Sequence, residues 1–261
     1  MAFWGSGVRS PSAPLLRPAR QRTPVGGRGV AVSGCVSVRP AVVIPTFEEA
    51  GNVAAVIAGV RAALPDAYIL IVDDDSPDGT ASRAADAGAE VLVRKDRRGL
   101  GSAYRAGFER VVAGGFDPIY QMDADLSHDP ADLPKLATGA DLTLGSRYVD
   151  GGGVDNWGLG RKALSRLGSA YARTCLSVDF HDLTGGFKCW RSAALRAIAP
   201  HTLRCEGYAF QIESTWRAHQ RGLRIVEVPI RFTERREGAS KLSGAIAVEA
   251  AWRVLWLRTG T

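Results

Sequence analysis

Two carboxylates one residue apart, Asp123 and Asp125, follow directly on an apolar run in QMDADLSHDP, residues 121–130. Three jobs are open to such a pair: holding Mg²⁺ or Mn²⁺ through oxygen ligands, acid–base work as a coupled dyad, or facing solvent in a loop. A divalent ion held by few protein oxygens completes its shell with substrate phosphates. The first job therefore requires cations nearby, to balance the phosphate charge that the ion leaves over. The chain offers Arg147 in GSRY, Arg161 and Lys162 in GLGRKALSR, and Arg235 and Lys241 in RREGASK. Arginine presents a planar fork to phosphate oxygens and lysine a point charge. Each alone is more often a solvated surface residue. Here they adjoin glycine-rich turns, where backbone can approach a ligand closely.

The elements that must position these groups begin at residue 38. SVRPAVVIP is a β-branched run stopped by Pro45, and residues 52–64 have helical spacing. Further strands are expected over 67–75, EVLVRK, DPIYQMDAD, 141–148 and 223–232, with helices over 78–89, 99–115 and 207–222. Strands alternating with helices of about a dozen residues predict an α/β domain with a mostly parallel, doubly wound sheet and flanking helices. Ligands of such sheets bind beyond the carboxyl ends of the strands. Pro45-Thr46-Phe47, Asp73-Asp74-Asp75 and Asp123-Ala124-Asp125 all fall at such ends. One acidic corner is as readily a helix cap, and Asp78 before Gly79-Thr80 reads as that. Three corners on one rim describe a site.

Composition narrows the function classes. The chain has 261 residues and a net charge of +6. Arg9, Arg17, Arg20, Arg22, Arg28 and Arg39 make up that excess, with no acid before residue 41. The remainder is charge-balanced, so the basic pI describes a tail and no nucleic-acid partner is expected. Residues 1–37, rich in Arg, Pro and Gly, read as a disordered extension without the apolar core of a secretory signal. No run of 18 apolar residues exists, so no transmembrane helix is expected. Cys35, Cys175, Cys189 and Cys205 form no CxxC pair and read as free thiols of a reducing, cytoplasmic compartment.

Taken in order, VVIPTFEEAGN, IVDDDSPDGT, GLGSAYRAGF, QMDADLSHDP, GSRYVDGGGVDNWGLGRKALSR, DLTGGFKCWR, EGYAFQIE and VEVPIRFTERREGASKL resemble the dolichol-phosphate (polyprenol-phosphate) mannosyltransferases of glycosyltransferase family 2. The resemblance spans roughly residues 40–244. It implies a GT-A fold, with a catalytic domain over 38–244, and inverting transfer of mannose from GDP-mannose to a polyprenyl phosphate in a membrane. It implies Mg²⁺ or Mn²⁺, with Ca²⁺ a further candidate, and a peripheral place on the cytoplasmic face, with an anchoring protein as a candidate partner. Position by position, Pro45, Phe47 and Glu49 match the first nucleotide-contact motif. Val72 and Asp74, with Asp73 beside them, match the base and ribose pocket. Ala124 and Asp125, supported by Asp123, match diphosphate and metal contacts. Ser127 stands where other branches carry a Gln ligand, so it coordinates either directly or through water. Asp125, Arg147, Arg161, Arg235 and Lys241 make up the implied catalytic set, the last four as phosphate-binding cations. Asp182, Thr184 and Gly185 fall where the family shapes the sugar pocket. Phe47, Glu48 and Asp75 depart from the common Tyr, Asn and Gly or Asn. A lipid phosphate is already ionised and needs no strong general base, so positioning and charge stabilisation should carry the catalysis. The alternatives are a UDP-glucose donor with the same acceptor, or a non-catalytic sugar-nucleotide-binding subunit.

His128 reads as a structural loop residue, and Glu206 and Gln211 as either sugar contacts or packing. Residues 245–261 read as an amphipathic helix with Ala245, Val248, Trp252 and Leu255 on one face and Trp256 beside it. That helix either packs on the domain or lies in a membrane interface.

Overall fold

The computed structural model describes residues 39–233 and 244–259. The expected extension over residues 1–37, and Arg235 and Lys241, lie outside the described residues. The chain runs β1 (Ala41–Thr46), α1 (Val53–Ala63), β2 (Tyr68–Asp73), α2 (Thr80–Asp86), β3 (Glu90–Val93), α3 (Leu100–Ala113), β4 (Ile119–Gln121), a 3₁₀ stretch (Pro130–Leu136), β5 (Leu142–Ser146) and β6 (Gly153–Val154). It continues through α4 (Leu159–Leu176), β7 (Lys188–Trp190), α5 (Ser192–Ile198), a second 3₁₀ turn (Pro200–Thr202), α6 (Gly207–Gln220), β8 (Ile225–Pro229), β9 (Arg231–Phe232) and α7 (Gly244–Thr259).

Seven strands form one sheet in the order β3-β2-β1-β4-β7-β5-β8, and β6 and β9 pair separately. All neighbours in the large sheet are parallel except β7, which runs antiparallel to both β4 and β5. Its central strands are apolar on both faces, as parallel strands covered by helices must be. Ala41 and Val43 of β1, with Leu70 and Val72 of β2, pack with Ala103, Tyr104 and Phe108 of α3. Val42 and Ile44, with Ile69 and Ile71, pack with Val53, Ile57 and Val60 of α1. Gly107 lets α3 approach closely, because a Cβ there would come within 2.4 Å of Val43 Cγ1.

Two strand expectations need correction. Pro45 does not stop β1, which runs through it to Thr46. The β4 ladder ends one step earlier, at Val43 opposite Gln121, so the amide that Pro45 lacks has no ladder partner to lose. The Met122 carbonyl, next along that edge, accepts the Tyr104 hydroxyl instead, at 3.1 Å. The single strand expected over 223–232 splits into β8 and β9, and β9 leaves the sheet to pair with β6. The carboxyl ends of β1, β2 and β4 do share one edge, in the register Thr46 to Asp73 and Val43 to Gln121. Because β7 is antiparallel to both its neighbours, β5 ends on that edge too, at Ser146.

Candidate active site

The first two corners are stapled together. Asp73, fully buried, accepts from Thr46 Oγ1 at 2.8 Å, the Ser76 amide at 2.8 Å and Ser76 Oγ at 2.7 Å. Ser76 Oγ in turn accepts the Glu48 amide at 2.9 Å. Asp78 accepts the Ala50 amide at 3.1 Å and the Thr80 amide at 3.0 Å. Burial opposes the charge of Asp78, but hydrogen bonds from Thr80 and Ala50 hold its carboxyl below the usual range. It ties the loop after β1 to the first turn of α2, although Gly79 and not Asp78 holds the N-cap position of that helix. The Glu49 amide bonds Thr80 Oγ1 at 2.9 Å, and its carboxylate accepts Asn52 Nδ2 at 2.9 Å.

Asp74 ion-pairs with Arg94 and accepts the Gly99 amide at 2.8 Å, so both carboxylate oxygens bind the loop after β3. From the same loop, the Arg98 guanidinium lies 4.4 Å from the centre of the Phe47 ring. Sequence reasoning passed over Arg94 and Arg98, although the basic run RKDRRG before a helix was the available signal. Val72 and Ala124 are core side chains, so only their backbone can face a ligand.

At the third corner, Asp123 accepts the Tyr104 hydroxyl at 3.2 Å and keeps about a third of its side chain exposed (34%). The chain before β7 closes beneath it: a Cβ on Gly186 would sit 2.8 Å from Asp123 Oδ2. Asp125 is buried and accepts the Ser127 amide at 3.0 Å, across Leu126 in the left-handed region (φ 58°). Ser127 Oγ and His128 Nδ1 are buried with no hydrogen-bond partner among the described residues. The His128 ring stacks on Phe187 with centroids 4.9 Å apart and meets Phe232 edge-on at 5.0 Å. Burial pushes its imidazole down to about 4, so it is neutral at pH 7 and fills the loop as expected.

The cations come from β5 and α4. Arg147 is buried, and its Nε and Nη2 each reach an Asp182 oxygen at 2.7 Å, while Nη2 also reaches Thr184 Oγ1 at 2.9 Å. Burial works against the charge of Arg147, but Asp182 more than offsets it and raises the pKa further. Burial likewise opposes the Asp182 carboxylate, which Arg147 holds below its usual range. Asp182 and Thr184 thus clamp Arg147, and the Nη1 edge of its fork takes no part in that clamp. The Trp157 ring lies 5.7 Å from the Arg147 guanidinium and 4.2 Å from that of Arg161. Arg161 sits on the first turn of α4, a helix absent from the sequence reading, three residues after its N-cap Gly158. Trp157 is 8% exposed, and its indole N–H has no hydrogen-bond partner among the described residues. This residue was missed as well, although DNW before GLGR placed it beside two named cations.

Phe232 joins the two halves. It touches His128 beside the carboxylates, Trp157 at 5.3 Å and Arg147 at 5.3 Å. The Thr233 amide bonds the Ser127 carbonyl at 3.0 Å, tying the end of β9 to the carboxylate loop. Beneath the site, Lys188 is fully buried and donates to the Gln211 carbonyl at 2.8 Å and to Thr215 Oγ1 at 3.0 Å. Burial pushes its pKa down to about 7, against the pull of Asp182 and Asp123. Gln211 is also buried, with Oε1 accepting Gln121 Nε2 at 2.5 Å. Glu206 accepts the Ser102 amide at 3.0 Å and ion-pairs with Arg105. Gln211 therefore packs, whereas the Glu206 side chain stays 43% exposed.

Among the described residues, no group of three or more His, Cys, Asp or Glu is arranged to hold a metal ion. The donor set at the rim is two carboxylates, Asp123 and Asp125, with the hydroxyl of Ser127, which has no partner among the described residues. This all-oxygen set fits a hard cation that shares its shell with a diphosphate, and it does not fit a closed zinc centre. Cys175, Cys189 and Cys205 are free thiols set away from these donors in the core, and burial pushes Cys189 and Cys205 up to about 12.

Comparison with known proteins gives three findings. The sequence profile described as Glycosyl transferase family 2 matches residues 41–198. The chain is 42% identical over 226 residues to a polyprenol monophosphomannose synthase of Mycolicibacterium smegmatis, covering 83% of this chain and 85% of that protein. It is 43% identical over 225 residues to an undecaprenyl-phosphate mannosyltransferase of Micrococcus luteus, covering 83% and 93%. Among solved structures, the fold resembles glucosyl-3-phosphoglycerate synthase from Mycobacterium tuberculosis, in a complex with Mn²⁺, UDP and glucosyl-3-phosphoglycerate. The TM-score is 0.67 at 20% identity, covering 86% of this chain and 81% of that one. That likeness establishes the GT-A-like architecture of a mostly parallel sheet with flanking helices.

Proposed function

The chain belongs to glycosyl transferase family 2, and from that premise we propose that it transfers mannose from GDP-mannose to a polyprenyl phosphate, inverting the sugar carbon. Two relatives above 40% identity, both named for mannosyl transfer to polyprenyl phosphates, support the substrate class. The observation that carries the reading is the junction at Phe232, where the carboxylate loop and the arginine pair meet on one rim.

In this reading, the nucleoside lies over the corner made by Phe47, Asp74, Arg94 and Arg98. The diphosphate lies against Asp123 and Asp125, and the lipid phosphate against Arg147 and Arg161, with Arg235 and Lys241 as further cations. When bound, Mg²⁺ or Mn²⁺ supplies charge neutralisation for the departing diphosphate, and Asp123, Asp125 and Ser127 are the residues that would hold it. An oxygen of the acceptor phosphate attacks the sugar carbon from the face opposite the diphosphate. The bond to the β-phosphate oxygen breaks, and its electron pair leaves with GDP. The attacking oxygen carries no proton at neutral pH, so no base takes part, consistent with a neutral His128 walled in by aromatic rings. Arg147, held rigidly by Asp182 and Thr184, gains its effect by preorganisation, since the clamp fixes its guanidinium before substrate arrives.

The decisive experiment incubates purified protein with labelled GDP-mannose, polyprenyl phosphate and Mg²⁺ or Mn²⁺, then extracts with organic solvent. Label in the organic phase is the expected result. Label from UDP-glucose but not from GDP-mannose would overturn the donor, and label from neither would overturn the activity.

A further inference from the structure

Asp182 holds Arg147, yet Asp182 itself lies in no helix or strand. Helix α4 ends at Leu176 and β7 begins at Lys188. Val178 still bonds back to α4 through its amide, on the Arg173 carbonyl, and the Phe187 carbonyl accepts the Gly145 amide. Between those two, the described residues make no backbone-to-backbone hydrogen bond. A stretch without ladder or helix must satisfy its amides through side chains or water. Here one side chain reaches in from another strand. Glu227 of β8 accepts the His181 amide on Oε2 at 2.8 Å and the Asp182 amide on Oε1 at 2.9 Å. The His181 imidazole sets its Nδ1 2.9 Å from the same Oε2. Both carboxylate oxygens are thus committed to two consecutive residues of the loop, and only 9% of the Glu227 side chain is exposed.

The ladder between β5 and β8 puts this carboxylate in place. Leu144 lies opposite Glu227 and Ser146 opposite Pro229, so the strand that delivers Arg147 and the strand that carries Glu227 run in fixed register. Asp182 bridges the two. Its amide is held by Glu227, and its carboxylate takes the Arg147 amide at 3.0 Å as well as Nε and Nη2 of the guanidinium. Without the Glu227 bonds, the buried pair of Asp182 and Arg147 stays paired but loses its anchor to the sheet. A displacement of about 1 Å at a positioning group can cost a hundredfold in rate.

We propose that Glu227 is a positioning residue for the acceptor phosphate: it fixes the His181–Asp182 backbone and, through Asp182, the guanidinium of Arg147. The link from Arg147 to the acceptor rests on the proposed function, whereas the link from Glu227 to Arg147 does not.

The test reads backbone protection and kinetics in the full chain for wild type, Glu227→Gln and His181→Ala. A glutamine keeps one accepting oxygen and turns an NH2 group toward the other amide, donor against donor. In Glu227→Gln, hydrogen exchange at the amides of His181, Asp182 and Arg147 should quicken about tenfold or more, while amides of β1, β2 and β4 keep wild-type protection. The KM for polyprenyl phosphate should rise about tenfold, with KM for GDP-mannose unchanged. His181→Ala keeps both amide bonds and should leave every reading near wild type. Unchanged exchange at Arg147 would overturn the proposal. So would an acceptor KM that does not move in an active chain, an equal rise in both KM values, or a His181→Ala variant as impaired as Glu227→Gln. If Glu227→Gln does not fold, Glu227→Asp retains the charge one methylene short and is read in the same way. Two unfolded variants would make Glu227 a residue of the fold alone and sink the proposal. A wild-type chain that transfers no mannose, with Arg147 exchange still quickened in Glu227→Gln, would count against the proposed function and leave the hold on Arg147 standing.

Discussion

Two guanidinium groups share one indole at Trp157, and like charges do not gather without a reason. The ring offers each a cation–π contact, and its N–H is a buried donor that no described residue satisfies. A buried donor without a partner costs about 1–3 kcal/mol, so a phosphate oxygen arriving there would gain a hydrogen bond that the described residues leave open. Trp157→Phe keeps an aromatic platform and removes only the donor. We expect it to raise KM for the lipid phosphate about tenfold with little change in KM for the sugar nucleotide, as read from steady-state kinetics with each substrate varied. Equal changes in both constants would mean that the residue only packs. Gly186 makes a comparable argument on the acidic side. A methyl group there would meet Asp123 Oδ2 at 2.8 Å and push the carboxylate aside. Gly186→Ala should cut kcat/KM about a hundredfold and weaken Mn²⁺ binding in calorimetry, with the fold intact.

At the scale of elements, the antiparallel strand β7 matters most. It enters between β4 and β5, carries Gly186 just before it under Asp123, and lodges Lys188 in the core. Burial holds the Lys188 ammonium near 7, while the unfolded chain keeps the ordinary lysine value. Between about pH 7 and about pH 10 the unfolded state therefore binds a proton that the folded state has released, and stability rises with pH across that window. Lys188→Met removes this contribution. Urea titrations should show the stability of wild type relative to the variant increasing from about pH 7 to about pH 10. A constant difference would mean that Lys188 keeps its proton when folded, held by Gln211 and Thr215. The helix α7 shows the same separation of roles: Val254 and Leu257 seat it on the domain, and Trp252 and Leu255 remain outside.

For the whole molecule, binding at a rim built from four strand ends should stabilise all of them at once. A ligand at a hundred times its Kd adds about 2.7 kcal/mol to the unfolding free energy, which is roughly 5–10 °C in Tm for a domain of this size. GDP with Mn²⁺ should give such a shift in scanning calorimetry, and UDP with Mn²⁺ a smaller one. The reverse order would assign the corner at Phe47 and Arg98 to a uracil base. Either ligand without the ion should shift Tm less, because Asp123 and Asp125 then face the diphosphate with their own charge uncompensated.

Much of this architecture was already legible in the order of residues. Apolar runs ending in PTF, DDD and DAD placed three corners at strand ends, and right-handed βα crossovers put parallel strand ends on one edge of the sheet. The motifs from VVIPTF to QMDADLSHDP carried the family resemblance because each is a short contiguous string at the end of one strand, legible without any knowledge of its spatial neighbours. Short elements and shared side chains were not legible. Strand β7 has three residues with a lysine at its head, too brief for any period to register. Asp73, Asp74 and Asp182 look alike as acids in a string. Only the folded chain commits Asp73 to the loop bonds of Ser76 and Thr46, Asp74 to Arg94 and Asp182 to Arg147. Which carboxylates remain for a ligand is decided by partners 20 to 35 residues away in the chain. Sequence periodicity reports only neighbours within a turn or two, so that choice belongs to the tertiary structure.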